Sequence, residues 1–249
     1  MAKKGTIYLI PNTLGDCDID NLFPQYNYVV IRKLRHFIVE DVRTVRRFLK
    51  KVDKDIDIDS LSFYTLNKHT SPEEISTFLN PLFDGNDVGI ISEAGCPCVA
   101  DPGAEVVKIA QRKDIKVVPL VGPSSILMGL MASGFNGQSF AFVGYLPIES
   151  ADRLNAVKKL EHRAQSEHQA QIFIETPYRN MKMMQMLLQT LQPNTLLCVA
   201  CDVTLETEYI VTKTVSEWKK MTLPDLNKRP SIFIYTMLSD FISHFKIKK

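Results

Sequence analysis

Histidine is sparse in this chain and nowhere paired. His36, His69, His162, His168 and His244 show no i, i+4 spacing, so the two-histidine helical face of a zinc hydrolase is missing. Five cysteines, an odd number spread over 249 residues, do not make a disulfide framework and fit a reducing compartment. Neither sign of charge is in excess: 30 Lys and Arg face 28 Asp and Glu, for a formal net charge of +2, so any nucleic-acid surface has to be a local patch. The N-terminal MAKKGTIYLIPN holds only a short apolar stretch, too brief for a signal-peptide core or a membrane span, and the expected location is cytoplasmic. A G-x-G-x-x-G fingerprint and a G-x-S-x-G elbow are also absent, which removes the sequence grounds for a dinucleotide site or a serine hydrolase. No internal repeat or low-complexity linker interrupts the chain.

What is present is ordinary globular usage, 45% hydrophobic and 23% charged, in a chain long enough for two domains with separate cores. Strand-like runs at 6–10, 37–39, 61–66, 88–91 and 116–120 alternate with helical periods at 41–52, 71–83 and 104–112, the pattern of a parallel sheet with helices on its faces. Ser71 caps the second of these helices, with Pro72 at its first position and acids in its first turn. Beyond the break at Gly122-Pro123-Ser124-Ser125 come a small-residue helix at 126–132, strands at 140–145, 171–175, 196–200, 209–214 and 232–235, and helices at 152–165 and 178–191. Two strands in succession near 196–214 imply antiparallel pairing. The expected fold is α/β in two α/β domains, 1–121 with a mostly parallel sheet and 122–249 with a mixed sheet, ending in a frayed tail, ISHFKIKK.

Ligands of open α/β sheets bind beyond the carboxyl ends of the strands, and three loops there are built for close approach. The stretch 87–103, DVGIISEAGCPCVADPG, empties a buried strand into a loop stiffened by Pro97 and Pro102 and stripped of bulk at Gly95 and Gly103. The run closed by Pro11 opens onto Asn12, Gly15 and Asp16, and the Gly-Pro-Ser turn opens a helix whose first N–H groups are unpaired. Each loop also reads as a plain strand-to-helix connection.

Charged clusters mark further candidates. In 41–52, Val42, Val45, Phe48, Leu49 and Val52 share one face while Arg43, Arg46, Arg47, Lys50 and Lys51 share the other. That basic face is either solvated, offset by Asp53, Asp55, Asp57 and Asp59, or it tracks phosphates. Glu175-Thr176-Pro177-Tyr178-Arg179 joins an acid, a phenol and a guanidinium where a strand ends, and Glu40-Asp41 with Arg43 does the same earlier; each reads equally as a capping cluster or as catalytic machinery. Cys198-x-x-Cys201 falls in a strand, where residues three apart point to opposite faces, so no metal site is expected from it and Cys96-x-Cys98.

Taken together, GTIYLIPNTLGD, FIVEDVRTVRRFL, VGIISEAGCPCVADPGAEVV, VVPLVGPSSILMGLMASG, FAFVGYLP and FIETPYRN resemble, in order and spacing over nearly the whole chain, the tetrapyrrole methylase superfamily of S-adenosylmethionine-dependent methyltransferases. The branch they look most like is the ribosomal RNA small-subunit methyltransferase I group, which methylates a ribose 2′-hydroxyl. The resemblance implies a homodimer, with the methyl donor in a cleft between two α/β domains and no metal. It implies a cofactor site lined by Pro11; Glu93, Ala94, Gly95, Cys96 and Pro97; Gly122, Pro123, Ser124 and Ser125; and Phe142, Val143 and Gly144. Glu175 or Glu40 is the expected base, and Arg43 or Arg179 the expected substrate anchor. The expected partner is rRNA or the small ribosomal subunit. The chain departs from the family pattern at Asn12, Val42, Cys96 and Cys98, and at 148–153, where an acidic start replaces a basic run and weakens an rRNA contact. A methylase acting on a tetrapyrrole or other small molecule, and a non-catalytic cofactor- or RNA-binding protein, are the alternatives.

Overall fold

Four-residue apolar runs frame the first part of the chain. In the computed structural model, which describes residues 3–67 and 69–238, five parallel strands, β1 (Ile7–Ile10), β2 (His36–Val39), β3 (Ser62–Thr65), β4 (Val88–Ile91) and β5 (Val117–Pro119), pair in the order β3-β2-β4-β1-β5. They are joined by α1 (Gln25–Lys33), α2 (Val42–Val52), α3 (Pro72–Thr77), α4 (Asn80–Phe83) and α5 (Gly103–Arg112). The steps β1 to β2 to β3 run one way along the sheet and β3 to β4 to β5 run back, so right-handed crossovers place α1 and α2 on one face and α3, α4 and α5 on the other. The cores follow that division. Ile10, Phe37, Val39 and Ile91 pack with Ile31, Val45 and Phe48, while Ile7, Ile38, Val88 and Ile90 pack with Leu79, Leu82, Val106 and Ala110. Burial on both faces is why the central strand β4 reads as a continuous apolar run.

The sequence outline differs from this unit in two places. The helix expected through 71–83 begins as read, Ser71 Oγ accepting from the Glu74 N–H at 3.2 Å, but it divides into α3 and α4 because Pro81 has no N–H with which to continue the ladder. Helix α1 has no counterpart in the sequence reading.

The chain divides into two units, Met1–Ser124 and Ser125–Lys249, and the second is a mixed sheet. It consists of α6 (Ser125–Ser133), β6 (Phe140–Tyr145), α7 (Ser150–Glu167), β7 (Ala170–Ile174), α8 (Asn180–Thr190), β8 (Thr195–Cys201), β9 (Tyr209–Thr214), α9 (Val215–Trp218) and β10 (Ser231–Met237), with strand order β6-β7-β10-β8-β9. β8 and β9 are antiparallel, as their succession implies, and only β6 and β7 are parallel. Phe233 and Tyr235 of β10 face a core closed by Val157, Met184, Leu187 and Trp218. On the other face α6 comes close through Gly129, where a Cβ would lie 3.4 Å from Ala200 and Ile234. Cys201 lies in the first of these cores and Cys198 does not, so the pair diverges as a strand requires. The tail 242–249 lies outside the described residues.

Candidate functional site

β1 and β4 are neighbours whose outgoing connections leave for opposite faces, which opens a crevice at their carboxyl ends. Their pairing runs to Ile10 and Ile91, and the chains then meet once more beyond the sheet. Asn12 N–H donates to the Gly95 carbonyl at 2.9 Å and Gly95 N–H to the Asn12 carbonyl at 3.2 Å. Asn12 is buried, and its Nδ2 donates to the carbonyls of Ser92 and Glu93 at 3.2 and 3.0 Å while its Oδ1 accepts from Thr13 N–H. One amide side chain thus shapes both loops. Gly95 adopts φ +68°, a left-handed geometry that favours glycine.

The β5 loop is fixed to the same edge. A Cβ on Gly122 would fall 2.2 Å from Cγ of Pro11, so only glycine lets these two segments touch, and Asn27 of α1 donates to the Val121 carbonyl at 2.7 Å. Cys96 Sγ donates to the Pro123 carbonyl at 3.4 Å, tying the β4 loop to the β5 loop. Pro11, Gly95, Cys96, Gly122 and Pro123 are therefore brought together in the first unit, with Glu93 and Ala94 exposed at the rim.

The carboxylates of this edge interact. Asp101 accepts from Cys98 N–H at 2.8 Å and Gly103 N–H at 2.7 Å, closing the loop that leads into α5 and holding Cys98 and Ala100 near φ +68° and +59°. Burial pushes the Asp101 carboxyl up in spite of these bonds. Burial first, and then the negative charges of Asp101 and Glu93, raise Glu40 above the usual carboxylate range, against a hydrogen bond from Glu93 N–H. Burial, aided by Asp101, raises the Cys98 thiol to about 12, which removes it as a nucleophile. Arg43 stands exposed in the first turn of α2, whose start is capped by Asp41 accepting from Thr44 N–H at 2.6 Å.

The remaining candidates lie in the second unit. Ser125 begins α6. Phe142, Val143 and Gly144 form the end of β6, where the register with β7 shifts and Gly144 turns to φ +70°. A Cβ at Gly144 would meet no atom within 4 Å, so the main chain is uncovered there. The Glu175 side chain is 2% exposed, and its Oε1 accepts from Arg179 Nε at 3.0 Å, Arg179 Nη2 at 2.7 Å and Thr176 N–H at 2.7 Å. A carboxylate so committed is built to orient Arg179 and is poorly placed to collect a proton. Tyr178, 74% exposed, stands beside them with Lys228 Nζ 6.0 Å from its ring centre.

Sequence reasoning treated Asn12 as a turn former and missed Asn27 and Asp101 as organisers. Only the D-P-G turn carried a local signal, since an aspartate bonding the N–H two residues on is a recurrent turn.

A family model described as Tetrapyrrole (Corrin/Porphyrin) Methylases matches residues 28–219. Among curated proteins, the ribosomal RNA small subunit methyltransferase I of Halalkalibacterium halodurans is 29% identical over 179 residues, 71% of this chain and 57% of that protein. The protein of that name from Streptococcus pyogenes is 32% identical over 71% of this chain and 57% of its own length. That from Escherichia coli O157:H7 is 26% identical over 91% of this chain and 75% of its own. The chain thus spans about 57% of the length of the first two relatives. Two solved structures share the fold at 14% identity. They are the methyltransferase CobJ, with a TM-score of 0.63 covering 94% of this chain and 95% of that one, and the cobalt precorrin-4 methyltransferase CbiF, with a TM-score of 0.59 covering 95% of each.

Proposed function

The chain belongs to the tetrapyrrole (corrin/porphyrin) methylases, and from that membership we propose that it is an S-adenosylmethionine-dependent methyltransferase acting on a ribose 2′-hydroxyl of small-subunit rRNA. The acceptor rests on the likeness to proteins named for rRNA methylation, at 26 to 32% identity. The chemistry rests on one observation: the Glu40 carboxyl, raised in pKa, stands at the sheet edge where the β4 loop folds back on β1.

Ala94 carries only a methyl group and stands exposed, so the main chain at the rim of the β4 loop is open to a donor. When bound, S-adenosylmethionine supplies a methyl group on a positive sulfur that departs readily. Residues 93–97 and 122–124, with Pro11, would hold it. Glu40 takes the proton from the ribose hydroxyl, a task suited to a carboxylate whose burial strengthens it as a base, and Arg43 holds an adjacent phosphate. Arg179 of the second unit, oriented by Glu175, is the alternative anchor. The cytoplasmic location and the homodimer belong to the same reading; among the described residues no helix is long and apolar enough to cross a membrane.

The test is transfer of tritiated methyl from S-adenosylmethionine to small ribosomal subunits from cells lacking this protein. Label in a ribose of the rRNA is expected. Cofactor binding by calorimetry without any transfer would leave a binding protein, and transfer only to a tetrapyrrole would replace the acceptor.

A further inference from the structure

Helix α2 starts at the candidate active edge, because Asp41, its cap, follows Glu40 directly. From there Arg43, Arg46, Arg47 and Lys50 run along its exposed side, all within about 100° of arc and over roughly 10 Å of axis at 1.5 Å per residue. The segment 41–54 holds six cations against the two carboxylates of Asp41 and Asp53, a local net of four positive charges in a chain whose net is +2. The rest of the molecule is therefore net negative.

The acids that follow in sequence offset this face only in part, Asp53 interacting with Lys50 as well as with Arg32. Asp53 pairs with Arg32 of α1 at 2.6 Å, Asp57 accepts from Asp59 N–H to cap a short turn, and Asp16 engages Lys51 at the far end. Asp41 spends its carboxyl on Thr44 N–H. Among the described residues no ion pair engages Arg43, Arg46, Arg47 or Lys50. Two of the four are held in place: the Arg46 guanidinium lies 5.6 Å from the Phe63 ring centre, and Lys50 Nζ donates to the Lys54 carbonyl at 2.7 Å without losing its charge. The opposite side of the helix, Val45, Phe48, Leu49 and Val52, is buried in the core, which fixes the direction the cations face.

We infer that this stripe is an RNA-binding track, taking the phosphate backbone of the strand that carries the target ribose and leading it toward Glu40. The inference rests on the rRNA reading above and adds where the polyanion lies: on α2, in place of the basic run missing at 148–153. Exposed cations on one rigid face, without a salt bridge among the described residues and in an otherwise net-negative molecule, give phosphate contacts that position without reading sequence.

The experiment compares the wild-type chain, an R47A/K50A variant and a control, K158A/K159A, which removes the same charge from exposed positions of α7. Each is titrated against a fluorescein-labelled fragment of small-subunit rRNA over a range of salt. At low salt R47A/K50A should bind on the order of tenfold more weakly, and its plot of log affinity against log salt should be shallower by about 1.4 to 1.8, the share of two phosphate contacts. The control and wild type should coincide. Alanine is the best helix former and both sites are exposed, so the variant should fold; unchanged S-adenosylmethionine affinity by calorimetry verifies that. Equal affinity and equal slope for R47A/K50A and wild type would overturn the track while leaving the rRNA reading intact. Absence of RNA binding by the wild type at low salt would overturn both.

Discussion

Asn12 and Gly95 exchange main-chain hydrogen bonds, at 2.9 and 3.2 Å, just past the point where β1 and β4 stop pairing as parallel neighbours. The bridge reverses the local strand sense, so the β4 loop bends back over the end of β1. The Asn12 side chain maintains the bend by satisfying two carbonyls of that loop. Asn12→Ala leaves those carbonyls without their donor, at a cost of roughly 1 to 3 kcal/mol. A lower denaturation midpoint, together with weaker S-adenosylmethionine binding in calorimetry, is the expected outcome.

Gly122→Ala drives a methyl group to 2.2 and 2.3 Å from the Pro11 ring. The two loops then have to separate, and overpacking of this kind costs about 1 to 3 kcal/mol. Pro11→Gly removes both obstructing ring atoms, Cβ and Cγ, and should recover part of the loss, so the double variant is expected to be more stable than Gly122→Ala alone. A double-mutant cycle in urea reads the coupling.

Glu40→Gln should abolish most methyl transfer, by about 100-fold or more, with S-adenosylmethionine affinity little changed. In the wild type, activity should fall as pH drops through a value above the ordinary carboxylate range, because burial, Asp101 and Glu93 all favour the protonated form. Asp101→Asn removes one of those charges and should move that acidic limb to lower pH. Stability carries the opposite sign. A raised carboxyl binds its proton more tightly folded than unfolded, so its favourable contribution is complete at low pH and is lost as pH rises through the folded value. Glu40→Gln should accordingly be the more stable protein at neutral pH, and the difference should vanish in acid.

Glu175→Gln and Arg179→Ala should each lower turnover, and the two together should cost no more than Arg179→Ala alone. That non-additivity is what a carboxylate acting through its guanidinium partner produces. A rate profile in which Glu175→Gln removes the acidic limb would instead make Glu175 the base. Steady-state kinetics over a range of pH distinguishes the two.

The main elements were legible where physical chemistry is local. The β4 run is bounded by turn formers and buried on both faces, so Val88 to Ile91 reads as a strand whatever surrounds it. Asp41 and Ser71 announce their helices by side-chain bonds three residues on. Helix α1 was not legible because its one buried amide, Asn27, interrupts the apolar face and finds its partner, Val121, 94 residues away. The same distance in sequence hid Asn12, whose acceptors lie 80 and 81 residues downstream. The role of Glu175 needed coordinates: E-T-P-Y-R puts an acid near a guanidinium, but only the shared Oε1 distinguishes an orienting carboxylate from a free one.

The first sheet also sets a timetable for synthesis. The two partners of strand β1 are Val88 to Ile91 and Val117 to Pro119, so during synthesis Ile7 has no neighbour until about eighty further residues have emerged. Until then Ile7 and Ile10, fully buried in the finished protein, are carried as bare apolar edge, the condition under which nascent chains aggregate or engage chaperones. A chain arrested before residue 117 should therefore be protease-sensitive from its first strand onward, while one extended past Ser124 should acquire protection across the whole unit in a single step.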